Sequence, residues 1–216
     1  VTPEKDLKEK VEIVCLKDIC VTIFDQKGKM LLEWKPESEE IKELPEAAKA
    51  VLEPKDIQTT EELYLTGLHL EQYRHATYLA TDYYQEALRR DPSDVRNNNA
   101  LGLWLLRKGQ FAKAEPYLRE AVKTLTAKSP NPYDGEPLYN LGLSLKYQGR
   151  FAEAYDCFYK SCWNAAWQDV GYYSLAQISV ARRDWENALY EIDKSLMRNW
   201  CNLRGSCLLY TSPSPR

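Results

Sequence analysis

The sequence predicts a mainly α chain, an α-solenoid of about four helix-turn-helix repeats preceded by a small β meander. Three observations lead there. A ladder of alanines, Ala80, Ala114, Ala154 and Ala188, is spaced by 34, 40 and 34 residues. Each stands in a similar local pattern, in YLATDYYQEAL (78–88), FAKAEPYLREA (111–121), FAEAYDCFYKS (151–161) and WENALYEIDKS (185–195). The hydrophobic period also changes along the chain, from short β-branched runs before residue 36 to a 3.6-residue stripe after residue 59.

Residues 11–35 read as three strands, VEIVCL, ICVTIF and KMLLEW, separated by the turn residues Lys17-Asp18 and Asp25-Gln26-Lys27-Gly28. A sheet this small cannot bury enough apolar surface to stand alone. It is expected to be the remnant of a larger upstream β domain, which agrees with a start at Val1 rather than methionine. Cys15 and Cys20 lie here and are expected to be small buried thiols, with a disulfide or metal role as the alternative. Residues 36–58 are expected to form an acidic, solvated linker. Pro36, Pro45 and Pro54 recur every nine residues among Glu37, Glu39, Glu40, Glu43 and Glu46, with room for a short helix over 45–52.

The solenoid is expected over 59–206, in units of about 60–93, 94–130, 134–167 and 168–199, with a fifth starting at 200–206 where Trp200 and Leu203 begin a helix. Thr59-Thr60-Glu61-Glu62 offers a capping box. Before each ladder alanine stands a small residue, Gly67, Gly102, Gly142 or Ala176. Four residues after it comes a large one, Tyr84, Leu118, Phe158 or Ile192, and three further on Ala87, Ala121, Ser161 or Ser195. Because Ala176 replaces glycine, smallness is the requirement, and a mid-helix glycine that costs about 1 kcal/mol against alanine must be offset by close packing. Gly109 and Gly149 suit a left-handed turn after the first helix, and Arg183-Asp184 replaces that turn in the last unit with Asp184 as N-cap.

These residues resemble a tetratricopeptide repeat, most closely in LGLWLLRKGQFAKAEPYLREA (101–121) and NLGLSLKYQGRFAEAYDCF (140–158). There are departures. The first unit is one residue longer between Gly67 and Ala80 and lacks the inter-helix glycine, and the second has six extra residues around 127–135. The family's first position, often tryptophan, falls on Tyr64, Asn98, Leu138 and Tyr172, and the closing proline survives as Pro92. The phrases LYLTGLHLEQYRHATY, EALRRDPSDVRNNNALG and NPYDGEPLYNLGLSLKYQGR are also similar to the C-terminal repeat region of large bacterial proteins that carry an upstream β-rich domain of unknown function.

The resemblance implies a concave groove lined by the first helix of each unit. Its candidate residues are Arg96, Asn99, Leu103 and Arg107, then Tyr139, Asn140, Leu143, Lys146 and Tyr147, then Tyr173, Ser174, Gln177 and Val180. Family members that clamp a C-terminal carboxylate use lysine, asparagine and arginine at set positions. Only Asn140 matches, while Val170 and Ser174 stand where that clamp has cations, so tail binding of that kind is disfavoured.

A net charge of −3 gives no basic footprint for nucleic acid. No apolar run approaches a membrane span, and VTPEKDLKEK has no signal-peptide core. The six cysteines form no C-x-x-C pair and read as reduced thiols of a cytoplasmic protein. No P-loop, nucleophile elbow or dinucleotide fingerprint appears, and no cofactor or metal is expected. His69 and His75, six residues apart, are expected to be polar helix residues at a packing edge. In SCWNAAWQDVGYY (161–173), Trp163 and Trp167 would share a helix face, as inter-repeat core or as a sugar-stacking platform.

Two readings of function stay open. One is a non-catalytic scaffold that binds a protein, a peptide or its own upstream β domain. The other is the accessory region of a bacterial carbohydrate-processing enzyme whose active site lies upstream. Finally, residues 207–216 (CLLYTSPSPR) match one reading frame of a sequencing-library adapter and are expected to be a non-biological scar on a fragment whose natural chain continues past Ser206. The ladder makes one prediction: Ala154→Leu overpacks a helix pair and costs about 1–3 kcal/mol in denaturant unfolding.

Overall fold

The computed structural model describes residues 10, 12, 19–36, 50–73 and 75–211, in two units, Val1–Lys49 and Ala50–Arg216. In the first, β1 (Val21–Phe24) and β2 (Met30–Trp34) pair antiparallel. The register runs Val21↔Trp34, Thr22↔Glu33 and Ile23↔Leu32, then slips at a bulge so that Phe24 meets Met30. The Asp25 side chain sets the turn by accepting from the Lys27 and Lys29 N–H groups at 2.7 and 2.8 Å, and Gly28 supplies a φ of +80°. Val21, Ile23, Phe24, Leu31, Leu32 and Trp34 all stay exposed. The strand expected over 11–16 lies outside the described residues except for Glu12, as does Cys15. Cys20 corrects the expectation of a buried thiol. It is exposed just before β1, at the open end of the hairpin, where its Sγ donates to Glu33 Oε1 at 3.4 Å.

In the second unit the helices come as antiparallel pairs. These are α1 (Thr60–Tyr73) with α2 (Ala80–Arg90), α3 (Val95–Arg107) with α4 (Phe111–Thr126), α5 (Glu136–Tyr147) with α6 (Phe151–Ser161), and α7 (Gln168–Ala181) with α8 (Trp185–Arg198). A ninth helix, α9 (Leu203–Thr211), packs on α8.

The pairing rule is steric. A β-carbon placed on Gly67 would stand 2.5 Å from Tyr84 Cε1, one on Gly102 2.6 Å from Leu118, and one on Gly142 2.7 Å from Phe158. So the small residue of each first helix is the seat of the large residue of the second. Ala176 and Ile192 occupy the same two places in the last pair, and both are buried. All four ladder alanines are buried beside this contact. The core runs on from pair to pair, from Leu63, Leu70 and Tyr83 through Leu101, Leu105 and Leu141 to Leu175 and Ile178.

The turns inside the last three pairs share one backbone geometry. The residue after Gly109 donates to Leu105 O, the one after Gly149 to Leu145 O and the one after Arg183 to Ser179 O, each at 2.9 Å. Gly109, Gly149 and Arg183 have φ of 71°, 80° and 61°. This is the left-handed helix stop that glycine suits. In the last pair Asp184 accepts from Asn187 N at 3.3 Å, as the N-cap expected there. The first pair, which lacks the glycine, turns differently. His75 N–H donates to Leu70 O, and its Nδ1 accepts from Thr77 N and Tyr78 N at 3.2 and 3.3 Å. His75 is therefore a loop-forming residue and not the helical one expected.

Three further expectations change. The family's first position in the first unit is Leu63 rather than Tyr64: it lies four before Gly67, as Asn98, Leu138 and Tyr172 lie four before their small residues, and it is fully buried. Residues 50–58 are mostly exposed, as expected of the linker, but they are tied to α2. Ile57 is buried, Tyr83 Oη donates to Leu52 O at 2.9 Å, and Arg90 donates to the carbonyls of Pro54, Lys55, Ile57 and Gln58. Two arginines, Arg89 and Arg90, hold the Glu86 carboxylate well below its ordinary range, and Glu86 in turn aims Arg90 at that strap. The short helix expected over 45–52 falls outside the described residues up to 49, and 50–52 are not helical. At the other end, α9 runs on past Ser206 to Thr211. It starts at Leu203, because Asn202 accepts from Gly205 N at 3.0 Å and leaves Trp200 exposed in the preceding turn.

A β-carbon in left-handed backbone costs about 1–2 kcal/mol, so Arg183→Gly raises stability by about 1 kcal/mol once the glycine's larger unfolded-state entropy is counted. An upward shift of the denaturant midpoint with unchanged m-value checks it.

Candidate binding groove

The first helices α1, α3, α5 and α7 stand side by side, and polar contacts one repeat apart stitch their neighbouring faces. Arg96 on α3 is exposed. It pairs with Glu61 on α1, its guanidinium lies 5.0 Å above the Tyr64 ring, and its hydrogen bond holds the Glu61 carboxyl below its usual value. Arg107, the last residue of α3, pairs with Glu71, whose other oxygen accepts from Tyr84 Oη at 3.2 Å. The positive charge expected in the groove is therefore neutralised at both arginines.

Asn99 and Asn140 are buried rather than presented. Asn140 Nδ2 donates to Asn99 Oδ1 at 2.9 Å and approaches Glu136 Oε1 at 3.4 Å. Ser174 is also buried and returns its hydroxyl to Val170 O at 2.8 Å. Tyr139 is half-buried, its ring 5.4 Å from Phe158 and 5.2 Å from Trp167, and burial pushes its hydroxyl upward. Tyr147 does not join the row. It stacks on Phe111 of α4 at 4.7 Å with planes 17° apart, on the side of α5 where Ser144 Oγ donates to Phe111 O. Lys146 and Gln177 meet between α5 and α7, where Lys146 Nζ donates to Gln177 Oε1 and Gln177 Nε2 donates to Tyr173 Oη at 2.9 Å. Burial lowers the Lys146 ammonium.

A cleft of about 800 Å³ opens at the first two pairs. Tyr64, Leu68, Leu103 and Trp104 give it apolar walls, and Glu71, Arg107 and Glu136 its polar rim. The contributions of α1 were missed in the sequence. Counting four back from Gly67, as in the other units, would have placed Leu63 inside and Tyr64 beside Asn99, Tyr139 and Tyr173.

Trp163 and Trp167 do not share a helix face. The helix α6 stops at Ser161, and Asn164 accepts from Ala166 N at 2.9 Å to start a 3-10 turn, Ala165–Trp167. Trp167 packs on Tyr139, whereas Trp163 is exposed. Trp163 borders a second cleft of about 590 Å³ with Tyr133, Pro132 and Lys160. Among the described residues no group of three His, Cys, Asp or Glu side chains could hold a metal, and no helix is long and apolar enough to cross a membrane.

No family model matches the chain. Solved structures do. PilF of Pseudomonas aeruginosa superposes with a TM-score of 0.59 at 22% identity, over 69% of this chain and 65% of its own. MamA gives 0.59 at 18% identity, over 69% and 79%. A chain of the APC/C hetero-tetramer Cut9–Hcn1 gives 0.63 at 18% identity, over 71% of this chain and 30% of its own. The fold is a tetratricopeptide-type solenoid. The chain spans 65% of the PilF chain and 30% of the Cut9–Hcn1 chain.

Outside the solenoid's groove, the buried Glu191 carboxyl is pushed upward, opposite to Glu86. Glu191 on α8 is 3% exposed and accepts from Tyr155 Oη and from Ser179 Oγ, the latter at 2.6 Å. Burial pushes its carboxyl above the ordinary 4.5, and nearby Asp184 adds to this, against Arg182 and the two hydrogen bonds. A raised folded-state value favours the protonated native form. The contribution is fully present below the ordinary value and is lost as pH rises through the raised one. Stability measured from pH 4 to pH 8 should therefore fall in the parent relative to Glu191→Gln, and parallel curves would refute the coupling.

Proposed function

We propose that this chain is a non-catalytic interaction scaffold whose groove binds an extended or helical segment of a partner protein. The observation that supports it most is the open cleft of about 800 Å³ between α1 and α3, with apolar walls and a charged rim, in the row of first helices. Apolar anchors held by a few placed polar groups suit peptide recognition. The Cut9–Hcn1 neighbour stands in a hetero-tetramer, a precedent for this kind of solenoid in assembly. The proposal includes an origin in a larger bacterial protein with a β-rich neighbour, on the likeness noted in the sequence. It includes a cytoplasmic setting, supported by Cys157 and Cys162, free thiols packed among the helices. A second reading, an accessory role in carbohydrate processing, is favoured by the exposed rings of Tyr133 and Trp163 at the second cleft.

Selection of peptides from a displayed library against the folded protein tests the groove. Selected peptides should lose at least about tenfold in affinity on Leu103→Asp, equivalent to about 1.4 kcal/mol, and should be unaffected by Tyr159→Ala on α6. Circular dichroism controls for folding. Equal binding to the Leu103 variant, or no selectable peptide, would overturn the reading.

A further inference from the structure

Among the described residues no carboxylate pairs with Lys146, a cation expected in the groove; its partner is Gln177. Arg96 and Arg107 each face a glutamate of the preceding repeat. Lys146 is half-buried on α5, and among the described residues its partner is a neutral amide oxygen, that of Gln177. An ammonium has three N–H donors, so two are left over. Gln177 spends one N–H on Tyr173 Oη, so the phenol oxygen accepts while its own hydrogen has no acceptor among the described residues. The Lys146–Gln177–Tyr173 chain therefore offers the groove donors and positive charge on either side of a single amide. Burial lowers the ammonium, because it disfavours the charged form.

We propose that the groove's partner supplies an internal acidic side chain whose carboxylate sits between Lys146 Nζ and Tyr173 Oη. A carboxylate is acceptor-only and carries the missing charge, and its two oxygens can serve the two donors at once. The inference rests on the groove reading above. It does not revive the terminal-carboxylate clamp: Asn140, the matching residue, is buried against Asn99, and Lys146 and Tyr173 stand at other positions.

Three ten-residue peptides test it. All are acetylated and amidated, with leucines flanking a central glutamate, glutamine or lysine in a serine–glycine background. The glutamate peptide should bind the whole chain about tenfold more tightly than the glutamine peptide, as expected for a partly desolvated ion pair, and the lysine peptide should bind weakest. In Lys146→Met that preference should collapse to within about twofold, and Lys146→Arg should restore part of it. Equal affinity for the glutamate and glutamine peptides, or a preference that survives Lys146→Met, overturns the acidic partner while binding still sensitive to Leu103→Asp leaves the groove reading standing. Failure of all three peptides to bind counts against the groove itself. A glutamine peptide with a free C-terminal carboxylate that matches the glutamate peptide would reassign the donors to a chain end and also overturn the proposal.

Discussion

The approach distance of two helices governs this solenoid. Tyr84, Leu118 and Phe158 each lie where a β-carbon on the facing glycine would have to stand. Because the seat is a missing side chain, the large residue can sit directly against backbone, and the two helices lock in one register. Dispersion contacts fall off steeply with separation, so this close seat is where each pair gains most. The ladder alanines, placed four residues before each large side chain, keep the rest of the seam equally thin. Everything functional follows from that register. With each pair fixed, neighbouring pairs stack so that α1, α3, α5 and α7 come into one row.

Stacking is then specified by polar contacts that join one repeat to the next. They include Glu61 with Arg96, Asn99 with Asn140, Ser144 with the Phe111 carbonyl, Arg150 with Glu115 and Tyr155 with Glu191. The exposed ion pairs contribute little stability, about 0–1 kcal/mol each. The buried ones act differently: an amide or carboxylate left unpaired at such a seam would be costly, so a slipped stack is penalised. These contacts take up part of the expected groove. Asn99, Asn140 and Ser174 are buried, Leu68 and Leu103 line the cleft, and Lys146 and Tyr173 are half-buried and meet through Gln177.

The repeat was legible because its requirement is local and chemical. A small residue, a large one and a left-handed turn must recur at fixed spacing, and Arg183 was readable in a glycine's place because Asp184 behind it could cap. The groove was less legible. Sequence places a residue on a helix face but not its partner. Arg96 and Arg107 read as free charges until Glu61 and Glu71 are seen one repeat away. Tyr147 read as groove until its ring is found flat on Phe111. The paired tryptophans failed for a simpler reason: helical spacing means nothing past Ser161, where α6 stops, and Asn164 caps a separate turn.

The Arg90 strap has a mechanical consequence. Four backbone carbonyls from residues 54 to 58 converge on one guanidinium, which α2 carries and Glu86 holds in place. Tension applied at residue 50 reaches that guanidinium before it reaches the Thr59 cap of α1, and several hydrogen bonds share it. Force entering from the N-terminal side is thus delivered to the second helix of the first pair, and α1, which forms the mouth of the cleft, is spared it.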